Sequence, residues 1–126
     1  MQMLSIRPQK THFETFETFE TAVVLQPQGS LSIDSVTWFI HQVNAAMVSE
    51  KPSSVMIDMS QVDFLDSSGV MAIAHGLKLA RSANKRFCLC SVSRAVYMVL
   101  ELTQLDSVLE IFENPSAFNL NLKLAA

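Results

Sequence analysis

The chain has 126 residues, 49% of them hydrophobic and 17% charged, with a formal net charge of −3. That length and apolar content fit one folded domain burying about two-thirds of its unfolded surface, and they exclude a disordered polar segment. The Lys and Arg residues are scattered and form no basic stripe that would neutralise nucleic-acid phosphates. No apolar run reaches the ~18 residues needed to span a bilayer, and no basic stretch with an apolar block marks a secretory leader. A cytoplasmic protein without membrane or direct nucleic-acid contact is expected.

In chain order, the first element is a threefold Phe-Glu-Thr repeat over Phe13–Thr21. A period of three matches neither the alternation of a strand nor the repeat of about 3.6 residues of a helix. The repeat is expected to hold two strands with a turn or bulge near Glu17-Thr18. The second strand continues through Ala22-Val23-Val24-Leu25-Gln26 and is ended by Pro27 and Gly29. From Ser32 a helical pattern begins, with Ser32 as N-cap and Asp34 in the first turn. Val36, Phe39, Ile40, Val43 and Met47 form its apolar stripe, and Trp38 lies off it. Glu50-Lys51-Pro52 closes that helix, and Val55-Met56-Ile57-Asp58-Met59 reads as a central strand.

A second helical pattern, starting at Val70, turns Val70, Ile73, Ala74, Leu77 and Ala80 to the core. Its other face carries Met71, His75, Lys78 and Ser82. Arg86–Val92 is nearly continuous in apolar character, as expected of a strand covered on both faces. Ser93 is the expected N-cap of a helix through Leu102. A short strand over Val108–Phe112 and a helix from about Pro115 to Leu122 complete the order β-β-α-β-α-β-α-β-α. That alternation implies a single α/β domain over residues 1–126, with right-handed crossovers and at least part of its sheet parallel.

Few residues support catalysis or metal binding. Cys88 and Cys90 face the same side of one strand, a poor disulfide geometry, and read as buried core thiols. His12, His41 and His75 fall in three separate elements, and no pair has the four-residue spacing of helical metal ligands. No phosphate-cradling or dinucleotide-binding glycine motif is present. No metal, no cofactor and no catalytic residue is assigned.

The run Phe64-Leu65-Asp66-Ser67-Ser68-Gly69 stands where an apolar strand gives way to a helix. Two hydroxyls therefore sit at a helix N-terminus, where unpaired N–H groups and the helix dipole favour an anion. A serine there can carry a phosphate without breaking the fold. Two plainer readings stay open: an ordinary N-cap by Asp66 or Ser67, and a tight loop needing Gly69 for close backbone approach. A hydrolase elbow at Ser67 fits poorly. That motif needs glycine two residues to either side of the serine, and Leu65 occupies one of those places. Asp66 beside the serine would also oppose an oxyanion.

With Val55–Met59 upstream, this run resembles the STAS domain family, and specifically the bacterial anti-sigma factor antagonists. The resemblance covers about residues 22–112. It takes in Gln28-Gly29-Ser30-Leu31, similar to the family's Gly-x-Leu turn, and Cys88-Leu89-Cys90-Ser91-Val92-Ser93-Arg94-Ala95-Val96, similar to its strand and third-helix entry. The resemblance implies a mixed sheet with helices and a partner-switching signal protein rather than an enzyme. Such a domain binds an anti-sigma factor that is also its serine kinase, freeing a sigma factor for transcription, and lets go once phosphorylated. A phosphoserine phosphatase is the further implied partner. The family's phosphorylated serine directly follows the aspartate and maps onto Ser67, with Ser68 as the fallback acceptor. The implied partner surface comprises Ser32, Asp66, Ser67, Ser68, Gly69 and Met71, where Ser32 replaces an aspartate that many members carry. The alternative is a STAS domain that binds a small molecule or nucleotide as a sensor or scaffold subunit, marked by an apolar cleft near Ser67.

Overall fold

The computed structural model describes residues 6–14, 19–50 and 52–119. Strands β1 (Ile6–Glu14) and β2 (Phe19–Pro27) pair antiparallel in one unbroken register, from Ile6 opposite Pro27 to Glu14 opposite Phe19. The turn expected near Glu17-Thr18 lies outside the described residues. There follow β3 (Gly29–Leu31), α1 (Val36–Val48), β4 (Ser54–Asp58), β5 (Val62–Leu65) and α2 (Ser67–Ser82). Next come β6 (Arg86–Cys90), α3 (Arg94–Leu102), a 3₁₀ turn (Leu105–Ser107) and β7 (Glu110–Phe112). Residues 115–119 are helical, in the segment where a last helix is expected; its continuation to Leu122 lies outside the described residues.

The main sheet has the order β1-β2-β4-β6-β7 and is parallel from β2 onward. The expected α/β alternation holds, with two strands more than the sequence suggests. The additions, β3 and β5, form a separate two-stranded parallel ribbon. Helix α1 starts later than expected. Ser32 is not its N-cap: residues 32–35 form a turn, and the helix begins at Val36 behind Ser35, so Asp34 precedes it. The turn is closed by buried Ser35, whose Oγ donates to the Ser30 carbonyl at 2.9 Å and accepts from Ser32 N–H at 3.0 Å. At the other end Lys85 Nζ donates to the carbonyls of Ala46 and Ser49, and desolvation lowers its pKa.

Strand alternation builds a core on each face of the sheet. Val23, Leu25, Val55, Ile57, Phe87 and Leu89 pack in one cluster with Phe39 and Val43 of α1, Ile73 of α2 and Leu100 of α3. Ala22, Val24, Met56, Cys88 and Cys90 form the second cluster with Phe118, and Phe112 packs against it. Phe112 and Phe118 meet edge to face, with ring centroids 5.4 Å apart. The Arg86 guanidinium lies over both rings and makes a two-pronged ion pair with Glu110, tying β6 to β7. Cys88 and Cys90 are fully buried thiols, and Cys88 Sγ donates to the Val55 carbonyl at 3.9 Å. Burial, and then the nearby Asp58 charge, push the Cys90 thiol up to about 11 against a small opposing effect of Ser91.

Candidate functional site

The β3–β5 ribbon brings the candidate residues together. Gly29 holds φ at 85°, in the left-handed region that glycine adopts without a Cβ penalty, and its N–H donates to the Gln61 carbonyl at 2.9 Å. Ser30 Oγ donates to Asp63 Oδ1 at 3.3 Å, and Leu31 sits opposite Leu65. Asp66 N–H then donates to the Leu31 carbonyl at 3.4 Å. The Gly29-Ser30-Leu31 turn and the strand leading into Asp66 therefore lie side by side.

Asp66 is the N-cap of α2, and its two carboxylate oxygens hold two segments at once. Oδ1 accepts from Gly69 N–H at 2.9 Å, and Oδ2 accepts from Ile33 N–H at 3.3 Å. The second bond anchors the turn containing Ser32, which is half-buried there. Gly69 is buried in the first turn of α2. A Cβ on it would fall on the Leu31 carbonyl oxygen and 2.7 Å from Leu65 Cδ1, so only glycine lets α2 sit this close to β3. The two plain readings of the sequence, a capping aspartate and a glycine needed for close approach, hold together.

Ser67 and Ser68 are the first two residues of α2. Ser67 is exposed and Ser68 is half-buried, and neither hydroxyl has a hydrogen-bond partner among the described residues. Met71, one turn further along α2, is 72% exposed. Two apolar side chains that sequence reasoning missed join this rim: exposed Ile33, next to the Asp66 carboxylate, and exposed Phe64 on the ribbon. Phe64 escapes a periodicity search because buried and exposed residues do not alternate in β5, where Asp63 and Phe64 are both exposed. The positive end of α2 points at this surface, while the exposed Asp34 and Asp63 and the capping Asp66 add negative charge. Asp58 belongs elsewhere. It closes β4, accepting from Gln26 Nε2 at 3.1 Å and from Ser60 N–H at 3.0 Å.

A cleft of about 270 Å³ is lined by Val92, Tyr97, Ile111, Phe112 and Glu113, none of them a candidate residue. Among the described residues, no group of three or more His, Cys, Asp or Glu side chains could hold a metal ion, and no helix is long and apolar enough to cross a membrane.

A family model described as the STAS domain matches residues 14–117. The chain belongs to the STAS domain family. A Thermotoga neapolitana protein, provisionally named an anti-sigma factor antagonist, is 27% identical over 101 residues, covering 80% of this chain and 89% of that protein. The crystal structure of a Thermotoga maritima protein with the same provisional description is 25% identical, with a TM-score of 0.70 over 85% of this chain and 88% of its own. The Bacillus cell fate determinant SpoIIAA, solved in its phosphorylated form, shares the fold at 18% identity, with a TM-score of 0.63 over 90% and 97% of the two chains. This STAS domain carries its Asp-Ser-Ser-Gly run on a helix cap braced by the Gly-Ser-Leu turn.

Proposed function

We propose that this STAS domain is an anti-sigma factor antagonist switched by phosphorylation of Ser67. The unmodified form binds an anti-sigma factor that is also a serine kinase and so frees a sigma factor in the cytoplasm; the phosphorylated form lets go until a phosphoserine phosphatase restores it. The protein acts by binding and performs no catalysis of its own. One observation carries this reading: the Ser67 hydroxyl is exposed and without a partner at the first residue of a helix whose capping is done by Asp66. Nothing in the fold then has to break for the hydroxyl to enter a kinase active site.

A phosphate on Ser67 adds about −1.5 to −2 charge and three strong acceptors. Within the domain the positive end of α2 attracts that charge while Asp66 and Asp63 repel it, so the fold changes little. Across an interface the same dianion, trapped without a basic partner, costs several kcal/mol, or about a hundredfold or more in affinity. The contact surface comprises Ser32, Asp66, Ser67, Ser68 and Met71, widened by Ile33 and Phe64. Gly69 shapes it from below by letting α2 dock on Leu31. With its cognate kinase and ATP, the protein is expected to gain one phosphate, lost in Ser67→Ala and kept in Ser68→Ala. Labelling that persists unchanged in Ser67→Ala overturns the assignment.

A further inference from the structure

Helix α3 (Arg94–Leu102) buries Val96 and Leu100 and leaves a row of side chains in solvent. Tyr97 is 37% exposed and Met98 51%, Leu102 is 83% exposed, and Arg94 and Glu101 are exposed at the two ends. Tyr97 and Met98 are three and four residues after Arg94 and four and three before Glu101, so the four share one face of the helix.

The charges on this face stand against the helix that carries them. Arg94 is the first residue of α3, at the positive end of its dipole, and Glu101 is in the last turn, at the negative end. Each placement opposes local helix stability. Among the described residues, neither side chain has an ion-pair or hydrogen-bond partner within the chain. Both charges, and the apolar side chains between them, are therefore open to complementary groups on another molecule.

The row is complementary to itself. When a second α3 is laid antiparallel about a two-fold axis passing between residues 97 and 98, Arg94 faces Glu101 of the second copy, and Glu101 faces Arg94. Tyr97 meets Met98 of the second copy in both directions, a favourable contact between sulfur and ring. The aliphatic stem of Arg94 lies toward Leu102 of the second copy, covering apolar surface while its head stays wet. Each helix also brings its misplaced charge to the favourable end of the other.

We propose that the exposed face of α3 is a self-association surface, on which a second copy of this chain packs antiparallel to form a symmetric dimer. Closed two-fold contacts of this kind use one patch twice. A nine-residue helix is about 14 Å long, and its face covers well under the ~800 Å² a side of a standard stable interface, so the dimer is weak and depends on concentration. This surface involves none of the residues around Ser67 and does not depend on the switch proposed for them.

Sedimentation velocity of the full chain from about 20 μM to about 1 mM tests the proposal. The unmodified sequence should move from monomer toward dimer across that range. Arg94→Glu and Glu101→Arg each turn both attractive pairs into repulsive ones, and each should weaken association by about tenfold or more. Both reversals suit the dipole of α3, so neither variant should unfold. Mixed one to one, the two variants should associate again, because both cross-pairs then carry opposite charges. The double variant Arg94→Glu/Glu101→Arg should likewise recover to within about twofold of the original. A chain that stays monomeric throughout, single variants that associate unimpaired, or a mixture that fails to recover would each overturn the proposal.

Discussion

The carboxylate of Asp66 joins two segments by accepting from Gly69 N–H of its own helix and from Ile33 N–H, thirty-three residues earlier in the chain. Losing a capping carboxylate costs about 1 kcal/mol, and losing the Ile33 bond adds to it, so Asp66→Ala should lower stability by about 1–2 kcal/mol. Gly69→Ala sets two effects against each other. Alanine gains about 1 kcal/mol over glycine in a helix. The added Cβ, however, meets the Leu31 carbonyl, a backbone atom that cannot yield without pulling β3 away. Overpacking of that kind costs about 1–3 kcal/mol, so a net loss is expected. Ser67→Asp, whose charge suits the helix N-terminus, should shift stability by under about 1 kcal/mol. Urea unfolding of the three variants checks the ranking; a stabilised Gly69→Ala would show that α2 does not sit this close to β3. The cap and the close approach were legible in the sequence because residue type and position announce them. The bond to Ile33 was not, because only tertiary structure brings that amide to Asp66.

At the scale of elements, the β3–β5 ribbon and the Ser32–Ser35 turn behave as one unit. Strands of three and four residues are too short for periodicity to reveal, and their pairing joins segments far apart in sequence. The longer elements were legible for the opposite reason. The stripe of Phe39, Val43 and Met47, the capping Ser93 and the apolar run of β6 each repeat their signal over several residues. Ser32 misled because serine is a good cap wherever it precedes a helical stripe. The ribbon carries the chain one turn further before the helix starts, and Ser35 closes that turn from inside. Ser35→Ala should leave the Ser30 carbonyl and Ser32 N–H without their partner and cost about 1–2 kcal/mol. Faster amide hydrogen exchange at Ser32 and Ile33 than in the parent protein is the local signature to measure; unchanged exchange there would remove Ser35 from its bracing role.

At the scale of the whole molecule, the sheet has two cores, and the second binds protein stability to alkaline pH through Cys90. Its folded pKa is raised from 9.0 to about 11, so the folded state holds the thiol proton more tightly than the unfolded chain does. Below 9.0 both states keep that proton and the group contributes no pH dependence. Between 9.0 and about 11 the unfolded thiol ionises while the folded one does not, and stability must fall as pH rises. The difference in unfolding free energy between the parent and Cys90→Ala, followed across that window, should shrink with rising pH; a constant difference would mean the thiol ionises equally in both states. The parallel strands impose a broader consequence. From β2 through β4 and β6 to β7 each is added on the same side of the one before, with α1, α2 and α3 all on one face. Doubly wound sheets hold nucleotides in the crevice that opens where the direction of winding reverses. Among the described strands the winding does not reverse, so no crevice of that kind forms, and the cleft that does open at the ends of β6 and β7, lined by Val92, Tyr97, Ile111, Phe112 and Glu113, lies between strands laid down in the same direction.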